Sequence, residues 1–204
     1  MRIIAGAAGG RRLAAPPEGT RPTTDRVREA LFSSLDTHVR GDHGGWSRVR
    51  VLDLFAGSGA VGLEALSRGA ASATLVERDR RCLEVLRANV ATVDPRARVV
   101  AADAFAWVPD RGPFDLVYID PPYAVSDDDV RRLLEHLSGR GAFDDDALIV
   151  VERSQRSSSP WPGQSVEPLR ERAYGDTRLW YGRASLTGEA SSLHRATATA
   201  EEEA

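Results

Sequence analysis

The stretch from Val51 to Gly62 limits what this chain can fold into more than any other part of the sequence. It opens as a short apolar run that predicts a buried strand, and the residues from Ala60 onward predict a helix. The glycines between them, Gly57 and Gly59, allow a sharp turn and a close approach to a ligand. A strand, a glycine turn and a helix are typical of the first nucleotide-binding unit of a doubly wound α/β sheet. The spacing Gly57-x-Gly59-x-x-Gly62 also fits a dinucleotide fingerprint, although a tight turn without any ligand would use the same glycines.

Acidic residues end the first two predicted strands. Asp53 lies at the end of the first strand, where a carboxylate would crowd a pyrophosphate but would suit a cationic ligand such as a sulfonium amino acid. Residues Ala73–Glu77 predict the second strand, and Glu77 at its end is placed to accept hydrogen bonds from both hydroxyls of a ribose. The two acids together favour a ligand that carries a ribose and a positive charge.

Two further strands end in residues suited to recognise a base. Arg98–Ala102 predicts a third strand, and Asp103 after it can accept a hydrogen bond from an adenine amino group or act as a helix N-cap; the sequence leaves both open. Phe114–Ile119 predicts a fourth strand that continues into Asp120-Pro121-Pro122-Tyr123. Prolines there could simply end the strand, but the acid and the aromatic ring on either side of them indicate a binding turn.

These motifs resemble a known family of enzymes. Asp53-x-Phe55-x-Gly57-x-Gly59 together with Asp120-Pro121-Pro122-Tyr123 is similar to the S-adenosylmethionine-dependent amino methyltransferases, which methylate exocyclic amines of bases or a glutamine amide. The chain is closer still to the 16S rRNA (guanine-966-N2)-methyltransferase family. That resemblance covers residues 1 to 183 and rests on three more segments, Arg2–Gly6, Thr20–Phe32 and Tyr174–Thr177.

The resemblance implies the fold, the cofactor and the site residues. The expected fold is an α/β, doubly wound, Rossmann-like sheet of seven mostly parallel strands, with an antiparallel C-terminal hairpin and a small N-terminal hairpin and helix as an extension. The implied cofactor is S-adenosyl-L-methionine, which leaves as S-adenosyl-L-homocysteine. The expected catalytic residues are Asp120, Pro121, Pro122 and Tyr123. The expected cofactor-binding residues are Asp53, Phe55, Gly57, Gly59, Glu77, Arg78, Asp103, Ala104 and Asp120.

The chemistry of an exocyclic amine explains why Asp120 and its neighbours would be catalytic. The lone pair of such an amine is delocalised into the base, so the nitrogen is a poor nucleophile. The Asp120 carboxylate and the Pro121 carbonyl can each accept a hydrogen bond from the amino group. Those bonds favour a pyramidal nitrogen and free its lone pair to attack a sulfonium methyl group. Tyr123 offers a face on which an unstacked base can lie.

The first 35 residues are basic in an otherwise acidic protein. They contain six arginines and three acids, whereas the whole chain has a net charge of −3. Arg2–Ala5 and Arg11–Leu13 predict a hairpin about a Gly9-Gly10 turn, and we expect RNA to bind along it. A solvated edge with ordinary surface arginines is the alternative that charge alone favours. The expected RNA-binding residues are Arg2, Arg11, Arg12, Arg21 and Arg26.

The rest of the chain alternates between helices and strands. Thr23 or Thr24 can cap a first helix whose apolar stripe leaves Arg26 and Arg28 outside it, and a loop is predicted from Arg40 to Arg48. The other predictions are helices over 60–66, 80–89 and 127–138 with Ser126 as a cap, a strand over 147–151, a loop over 153–164, and a hairpin of 166–172 and 177–183. The expected organisation is a hairpin-and-helix extension over 1–40, a methyltransferase domain over 41–183 and a disordered tail over 184–204.

Composition excludes several kinds of chemistry. All 27 basic residues are arginine, so the chain has no lysine nucleophile and forms no Schiff base. The single cysteine, Cys82, excludes a disulfide within the chain and a cysteine-based zinc site, and its helical spacing predicts burial. No metal is expected. Neither a signal peptide nor a membrane span is recognisable, so we expect a cytoplasmic monomer that acts on 16S rRNA, alone or within a small-subunit assembly particle.

Other functions stay open at this point. An adenine-N6 methyltransferase acting on DNA or RNA would share every motif. A nicotinamide-dependent oxidoreductase would share the glycines and Glu77, but Asp53 disfavours it and the turn over 120–123 would have no role. A non-catalytic RNA-binding module would need no intact donor pocket, yet every expected pocket position is present.

Overall fold

The structure is a computed structural model that describes residues 1–15, 25–163 and 165–185. The helices in these ranges are α1 (Asp25–His43), α2 (Ala60–Ser67), α3 (Arg80–Val93) and α4 (Asp127–Ser138). The strands are β1 (Arg50–Leu54), β2 (Ser72–Glu77), β3 (Arg98–Ala101), β4 (Phe114–Ile119), β5 (Phe143–Ser154), β6 (Val166–Tyr174) and β7 (Thr177–Ala184). Predictions for Arg21, for the caps Thr23 and Thr24, and for the tail beyond residue 185 lie outside the described residues.

The seven strands form one sheet in the order β3-β2-β1-β4-β5-β7-β6. Strands β1 to β5 pair in parallel, whereas β7 runs antiparallel to both β5 and β6. The strand order reverses between β1 and β4, and doubly wound sheets bind their ligands at such a switch point, outside the carboxyl ends of the strands. The predicted fold class, with its antiparallel hairpin at one edge, is confirmed.

Helices cover both faces of the sheet. Leu31 of α1 and Leu63 of α2 belong to a buried cluster on one face, which also contains Ile3 from the N-terminus. Leu133 and Leu137 of α4 belong to a second cluster on the other face. Each such side chain stabilises the fold by about 1.5–3 kcal/mol relative to an exposed position. Within the described ranges, no helix is both long enough and apolar enough to cross a membrane.

The helix starts follow from local sequence signals. The Ser126 hydroxyl accepts a hydrogen bond from the Asp129 N–H at 3.1 Å, and the Asp129 carboxylate accepts one from the Ser126 N–H at 3.2 Å, which completes a capping box on α4. The Asp79 carboxylate caps α3 by accepting from the Arg81 N–H at 2.8 Å. Cys82 is buried, as predicted, and burial raises the pKa of its thiol to about 11, which makes it unreactive.

Helix α1 is longer than the sequence predicts. It continues through Gly41 to His43, so the first part of the predicted loop over 40–48 is helical. Val39 in its last turns is buried, and Trp46 just beyond its end donates a hydrogen bond to Asp36 at 2.8 Å. Tertiary packing of this kind outweighs the modest cost of a glycine near a helix end.

Strand β5 is also longer than predicted. The predicted segment, 147–151, is its buried centre, but the strand runs from Phe143 to Ser154. Arg153 and Ser154 were expected in a loop because they are polar, yet both pair with residues of β7. The hairpin partner supplies their backbone hydrogen bonds, which a local polarity pattern does not reveal.

The N-terminal hairpin is smaller than predicted. Its two arms form a single bridge, between Arg2 and Arg12, instead of two strands. Three backbone hydrogen bonds hold the arms together. They run from the Ile3 N–H to the Arg11 carbonyl and from the Gly10 N–H to the Ile3 carbonyl, both at 2.9 Å, and from the Leu13 N–H to the Met1 carbonyl at 3.1 Å. The chain therefore turns where the sequence predicts, but without forming a regular ladder.

Arg28 contradicts the sequence pattern most clearly. It was expected outside the apolar stripe of α1, but its side chain is fully buried. It donates to the Arg2 carbonyl at 2.5 Å and to the Asp25 carboxylate at 2.9 Å. Burial lowers the pKa of its guanidinium, although Asp25 and Glu64 act in the opposite direction. The partner that makes this burial tolerable is the backbone of the hairpin, 26 residues away.

Candidate active site

The carboxyl ends of β1, β2 and β4 meet at one edge of the sheet. Leu54, the last residue of β1, pairs with Val76 on one side and with Ile119 on the other. Phe55 and Asp120 are each one residue beyond this register, so the glycine loop begins next to the end of β4. Motifs more than sixty residues apart in sequence thus converge at the switch point.

The glycine loop depends on backbone conformations that side chains resist. Phe55, Gly57 and Gly59 all have positive φ, at 59°, 55° and 76°. A Cβ on Gly59 would lie 2.5 Å from Leu86 Cδ1, so a larger residue does not fit. A Cβ on Gly57 would meet, among the described residues, only the Phe55 carbonyl within 4 Å, at 3.9 Å. The backbone at Gly57 is therefore open to a ligand.

Glu77 holds the glycine loop in place. Its carboxylate accepts hydrogen bonds from the N–H groups of Gly57 at 2.9 Å, Arg78 at 2.7 Å and Asp79 at 2.8 Å. A carboxylate offers about four acceptor positions, so about one remains for a ligand hydroxyl. Glu77 therefore also anchors the glycine loop, and its contact with a ribose stays a prediction.

Asp53 lies behind the glycine loop rather than on its open side. Its side chain is buried and accepts a hydrogen bond from the Gly62 N–H at 2.9 Å, inside the first turn of α2. Burial raises the pKa of this carboxyl to about 7; the bond from Gly62 opposes the rise and the nearby charge of Glu77 adds to it. Direct contact between Asp53 and a ligand stays a prediction.

Arg78 and Asp103 connect the ends of β2 and β3. The Asp103 carboxylate accepts from the Phe105 N–H at 3.0 Å and forms an ion pair with Arg78 at 2.7 Å. These two partners, the Phe105 bond foremost, hold the pKa of Asp103 below its usual value although partial burial opposes them. A turn and not a helix follows, so Asp103 caps that turn, and its contact with adenine stays a prediction.

Two aromatic rings stand over this part of the edge. Phe55 and Phe105 meet edge to face, with ring centroids 5.8 Å apart. Ala104 between Asp103 and Phe105 is buried. Sequence reasoning assigned a role to Phe55 and missed Phe105, whose only signal was its place two residues after Asp103.

The turn over 120–123 leaves β4 toward solvent. Asp120 is half-buried, Pro121 is buried and Pro122 is exposed. Tyr123 is 66% exposed, an unusual state for an aromatic ring, which normally buries most of its surface. The Val125 N–H donates to the Pro122 carbonyl at 2.9 Å and closes the turn. The edge therefore presents a flat ring beside a carboxylate.

Arg153 fixes the far end of this turn. Its guanidinium donates to the Val125 carbonyl at 2.7 Å and to the Asp127 carboxylate at 3.1 Å, and its side chain is 7% exposed. The other Asp127 oxygen accepts from Ser158. Burial alone would raise the pKa of Asp127, but the bonds from Ser158 and Arg153 outweigh it and keep the pKa low. No pattern in the sequence pointed to Arg153, because it lies in a segment expected to be a loop.

The predicted RNA-binding arginines differ in their contacts. Arg2, Arg12 and Arg26 are exposed, but the Arg11 guanidinium donates to the Thr92 carbonyl in the last turn of α3. Thr92 lies three residues beyond Asn89, whose side chain contacts the Ser58 carbonyl of the glycine loop. The Arg11 guanidinium therefore already has a partner within the fold.

Asn89 is a further residue that sequence reasoning missed. Its buried side chain accepts from the Ala14 N–H at 2.8 Å and donates to the Ala14 carbonyl at 3.1 Å. It also donates to the Ser58 carbonyl at 2.9 Å. One amide thus joins the N-terminal arm to the glycine loop, a link that only the three-dimensional fold reveals.

Known proteins are similar to this chain in sequence and in fold. A family model described as Conserved hypothetical protein 95 matches residues 1–183. The chain is 39% identical to Ribosomal RNA small subunit methyltransferase D of Escherichia coli (strain K12), with 94% of each chain covered. It is 33% identical to the protein YlbH of Bacillus subtilis (strain 168), with 87% of this chain and 95% of that protein covered.

Solved structures agree with the sequence comparisons. The structure of the Escherichia coli protein yhhF superimposes with a TM-score of 0.76 at 37% identity, with 92% of this chain and 99% of that chain covered. The chain therefore belongs to the methyltransferase family that includes small-subunit ribosomal RNA methyltransferase D.

Proposed function

We propose that this protein transfers a methyl group from S-adenosyl-L-methionine to the exocyclic N2 amine of a guanine in 16S ribosomal RNA. The observation that carries the proposal is the meeting of the 120–123 turn with the glycine loop at the switch point of the sheet. The name of the 39% identical relative supports ribosomal RNA of the small subunit as the substrate. We also propose that the protein is a monomer and that its substrate is either naked 16S rRNA or 16S rRNA within an assembly particle.

The residues of the β1–β2 side fit the methyl donor. Gly57 leaves its backbone open, and Glu77 keeps about one acceptor position for a ribose hydroxyl. The rings of Phe55 and Phe105 offer an apolar wall for adenine, and Asp103 is an acceptor beside it. S-adenosylmethionine would supply a methyl group bonded to a positively charged sulfur and already activated for transfer.

The residues of the β4 side fit the acceptor base. Tyr123 would stack on a guanine that has left its helix, which orders the base over the edge of the sheet. The Asp120 carboxylate and the Pro121 carbonyl would accept the two N–H bonds of the amine and direct its lone pair toward the donor. As the new bond forms, the nitrogen becomes acidic and its proton can leave without a specialised base. Positioning would then supply much of the rate.

The family membership sets the nicotinamide alternative aside, but adenine N6 remains an alternative target for the same geometry. Small-subunit RNA and assembly particles should be incubated with donor labelled on its methyl group, digested to nucleosides and separated. We expect label in N2-methylguanosine, with the Asp120→Ala variant as the inactive control. Label in N6-methyladenosine would replace guanine by adenine as the target, and absence of label in both nucleosides would overturn the proposal.

A further inference from the structure

A groove of 390 Å³ lies between helix α1 and strand β6, away from the residues assigned to the donor. The helix lines it with Ala30, Ser33, Ser34 and Thr37. These positions follow the spacing i, i+3, i+4, i+7, so they form one stripe along α1. A stripe of this kind is normally apolar where it packs and charged where it faces water. Here the stripe on α1 consists of small side chains, three of which carry a hydroxyl group. The small side chains leave space in the groove, and the hydroxyl groups supply hydrogen-bond donors.

Strand β6 lines the other side of the groove with Arg170, Arg172 and Tyr174. Alternate residues of a strand point to the same face and follow each other at about 6.6–6.8 Å. The acid between the two arginines, Glu171, points to the opposite face and pairs there with Arg178 at 3.4 Å. Among the described residues that line the groove, none carries a carboxylate. The groove is therefore basic in a protein whose net charge is −3.

The two arginines are held in orientations that leave their charge available. The Arg170 guanidinium lies 4.6 Å from the centre of the buried Tyr181 ring and donates to the Ser34 hydroxyl at 2.5 Å. Arg172 donates to the Glu171 carbonyl at 3.1 Å. These partners are neutral, and a stacked guanidinium loses less side-chain freedom when it binds an anion.

The groove leads to the catalytic edge of the sheet. Tyr174 pairs with Thr177, which in turn pairs with Ser154 at the carboxyl end of β5. The Gln155 N–H donates to the Asp176 carbonyl at 2.8 Å and ties the β6–β7 turn to that end. An RNA strand with its target base at the 120–123 turn could therefore continue into the groove.

We propose that this groove binds backbone phosphates of the RNA strand next to the target nucleotide, with Arg170 and Arg172 as the phosphate ligands. The proposal rests on the RNA substrate proposed above. Arginine matches phosphate geometry through its planar fork, and the serine and threonine hydroxyls of α1 are the neutral donors that accompany such contacts. Because phosphates carry no sequence information, the groove would set the register of the RNA and strengthen its binding without choosing the base.

The test compares the double variant Arg170→Ala/Arg172→Ala with a matched control, Arg132→Ala/Arg140→Ala. The control removes two exposed arginines on the α4 side of the sheet and changes net charge by the same amount. The substrate is whichever form of small-subunit RNA, naked or in a particle, the wild-type protein methylates. Affinity is measured between 50 and 200 mM salt, together with S-adenosylhomocysteine affinity and thermal unfolding. Arg172→Ala alone serves as a second variant, because no ring in the described part of the chain stacks on Arg172.

We expect the groove variant to lower the slope of log affinity against log salt by about 1.4, at about 0.7 for each single-strand phosphate. The ratio of wild-type to variant RNA affinity should then fall about sevenfold between 50 and 200 mM salt. The Arg172→Ala variant should lower the slope by about half as much. The control slope, the affinity for S-adenosylhomocysteine and the unfolding temperature of Arg172→Ala should stay unchanged.

An unchanged slope in both groove variants, while wild type still methylates RNA, would overturn the groove but leave the proposed function intact. An equal change in the control pair would also overturn it, because net charge and not the groove would then be responsible. If the wild-type protein methylates neither naked RNA nor particles, the proposed function fails and the groove proposal fails with it.

Discussion

The two halves of the catalytic edge use their polar groups differently. In the β1–β2 half, Asp53, Glu77 and Asn89 are buried, and each has hydrogen bonds to backbone groups of the loop and helix start. In the β4–β5 half, Pro122 and Tyr123 face solvent, and Arg153 holds the turn only at its far end. In the proposed function, the polar groups of the donor side would already be bonded before a ligand arrives, whereas the acceptor base would meet an exposed surface.

The difference fits the size of the two ligands. A small donor can be enclosed, and enclosure requires that the surrounding polar groups already have partners. A base that belongs to a large RNA has to arrive from solvent, so its site has to stay open. Substitutions on the two sides should consequently separate donor affinity from turnover.

The largest effect is expected on the acceptor side, from Asp120→Ala. The bond from Asp120 to the amine should strengthen as the nitrogen changes hybridisation, so its loss should lower turnover at saturating donor by about 10²–10³. Asp120→Asn keeps one oxygen acceptor and should retain part of the activity. Single-turnover assays at saturating donor isolate this step. Asp128→Ala, in the next helix and 74% exposed, is the control; a near wild-type rate for Asp120→Ala would make the turn purely structural.

The next largest effect is expected on the donor side, from Glu77→Ala. It removes one charge-assisted bond to the ribose, worth about 1.5–3 kcal/mol, together with the anchor of the Gly57 N–H. Calorimetry should show weaker binding of S-adenosylhomocysteine, while the single-turnover rate at saturating donor changes little. Glu84→Ala, an exposed acid on α3, is the matched control. Wild-type affinity in Glu77→Ala would contradict the donor role.

The buried carboxyl of Asp53 predicts a pH dependence of the donor half. Its pKa is about 7 in the folded state against 3.8 for the ordinary value, so the folded protein holds this proton more tightly than the unfolded chain. The resulting stabilisation is fully present below about pH 4 and is lost as pH rises through about 7. Relative to Asp53→Asn, the free energy of unfolding should fall by about 2 kcal/mol between pH 5 and pH 7. Denaturant unfolding at both pH values measures it, and parallel curves would contradict it.

The smallest effect is expected from the N-terminal hairpin, which is predicted to bind RNA but is docked on the donor half. Its Ile4 and Ala5 N–H groups donate to Glu64 of α2 at 2.6 and 3.0 Å. If Arg11 and Arg12 nevertheless contact phosphates, replacing both by alanine should lower the salt slope of RNA binding by about 1.4–1.8 and leave donor affinity unchanged. An unaltered slope would assign the hairpin to the donor half alone.

Much of the fold could be predicted because its signals are local. The apolar run of β4 and the Ser126 cap of α4 each depend on residues within a few positions, and their predictions are confirmed. Arg28, Asn89 and Arg153 could not be predicted, because their partners lie 26, 75 and 28 residues away. Each is a long polar side chain that looks suited to the surface until a distant backbone carbonyl gives it a partner.

The sequence identifies the acids and glycines that meet at this edge, but it does not show which hydrogen bonds they make within the fold. Glu77 was expected to serve the ligand alone, and the sequence could not show that three backbone N–H groups already occupy it. Asp53 was expected to face the ligand, and its hydrogen bond from the Gly62 N–H at the start of α2 became visible only in the fold. Motifs identify which residues meet, whereas only the structure shows which hydrogen bonds each of them already makes.

The two hydrogen bonds between the Ala14 backbone and the Asn89 side chain have a consequence for the synthesis of this protein. Ala14 leaves the ribosome 75 residues before Asn89, its hydrogen-bond partner. At about 5–20 residues per second, the N-terminal arm waits about 4–15 s for α3 to emerge. During that interval the arm has its apolar residues Ile3 and Leu13 but only part of the core that buries them. The last step in ordering the amino terminus therefore belongs to the middle of the chain, and a folding defect at Asn89 would first be seen as protease sensitivity of residues 1–15.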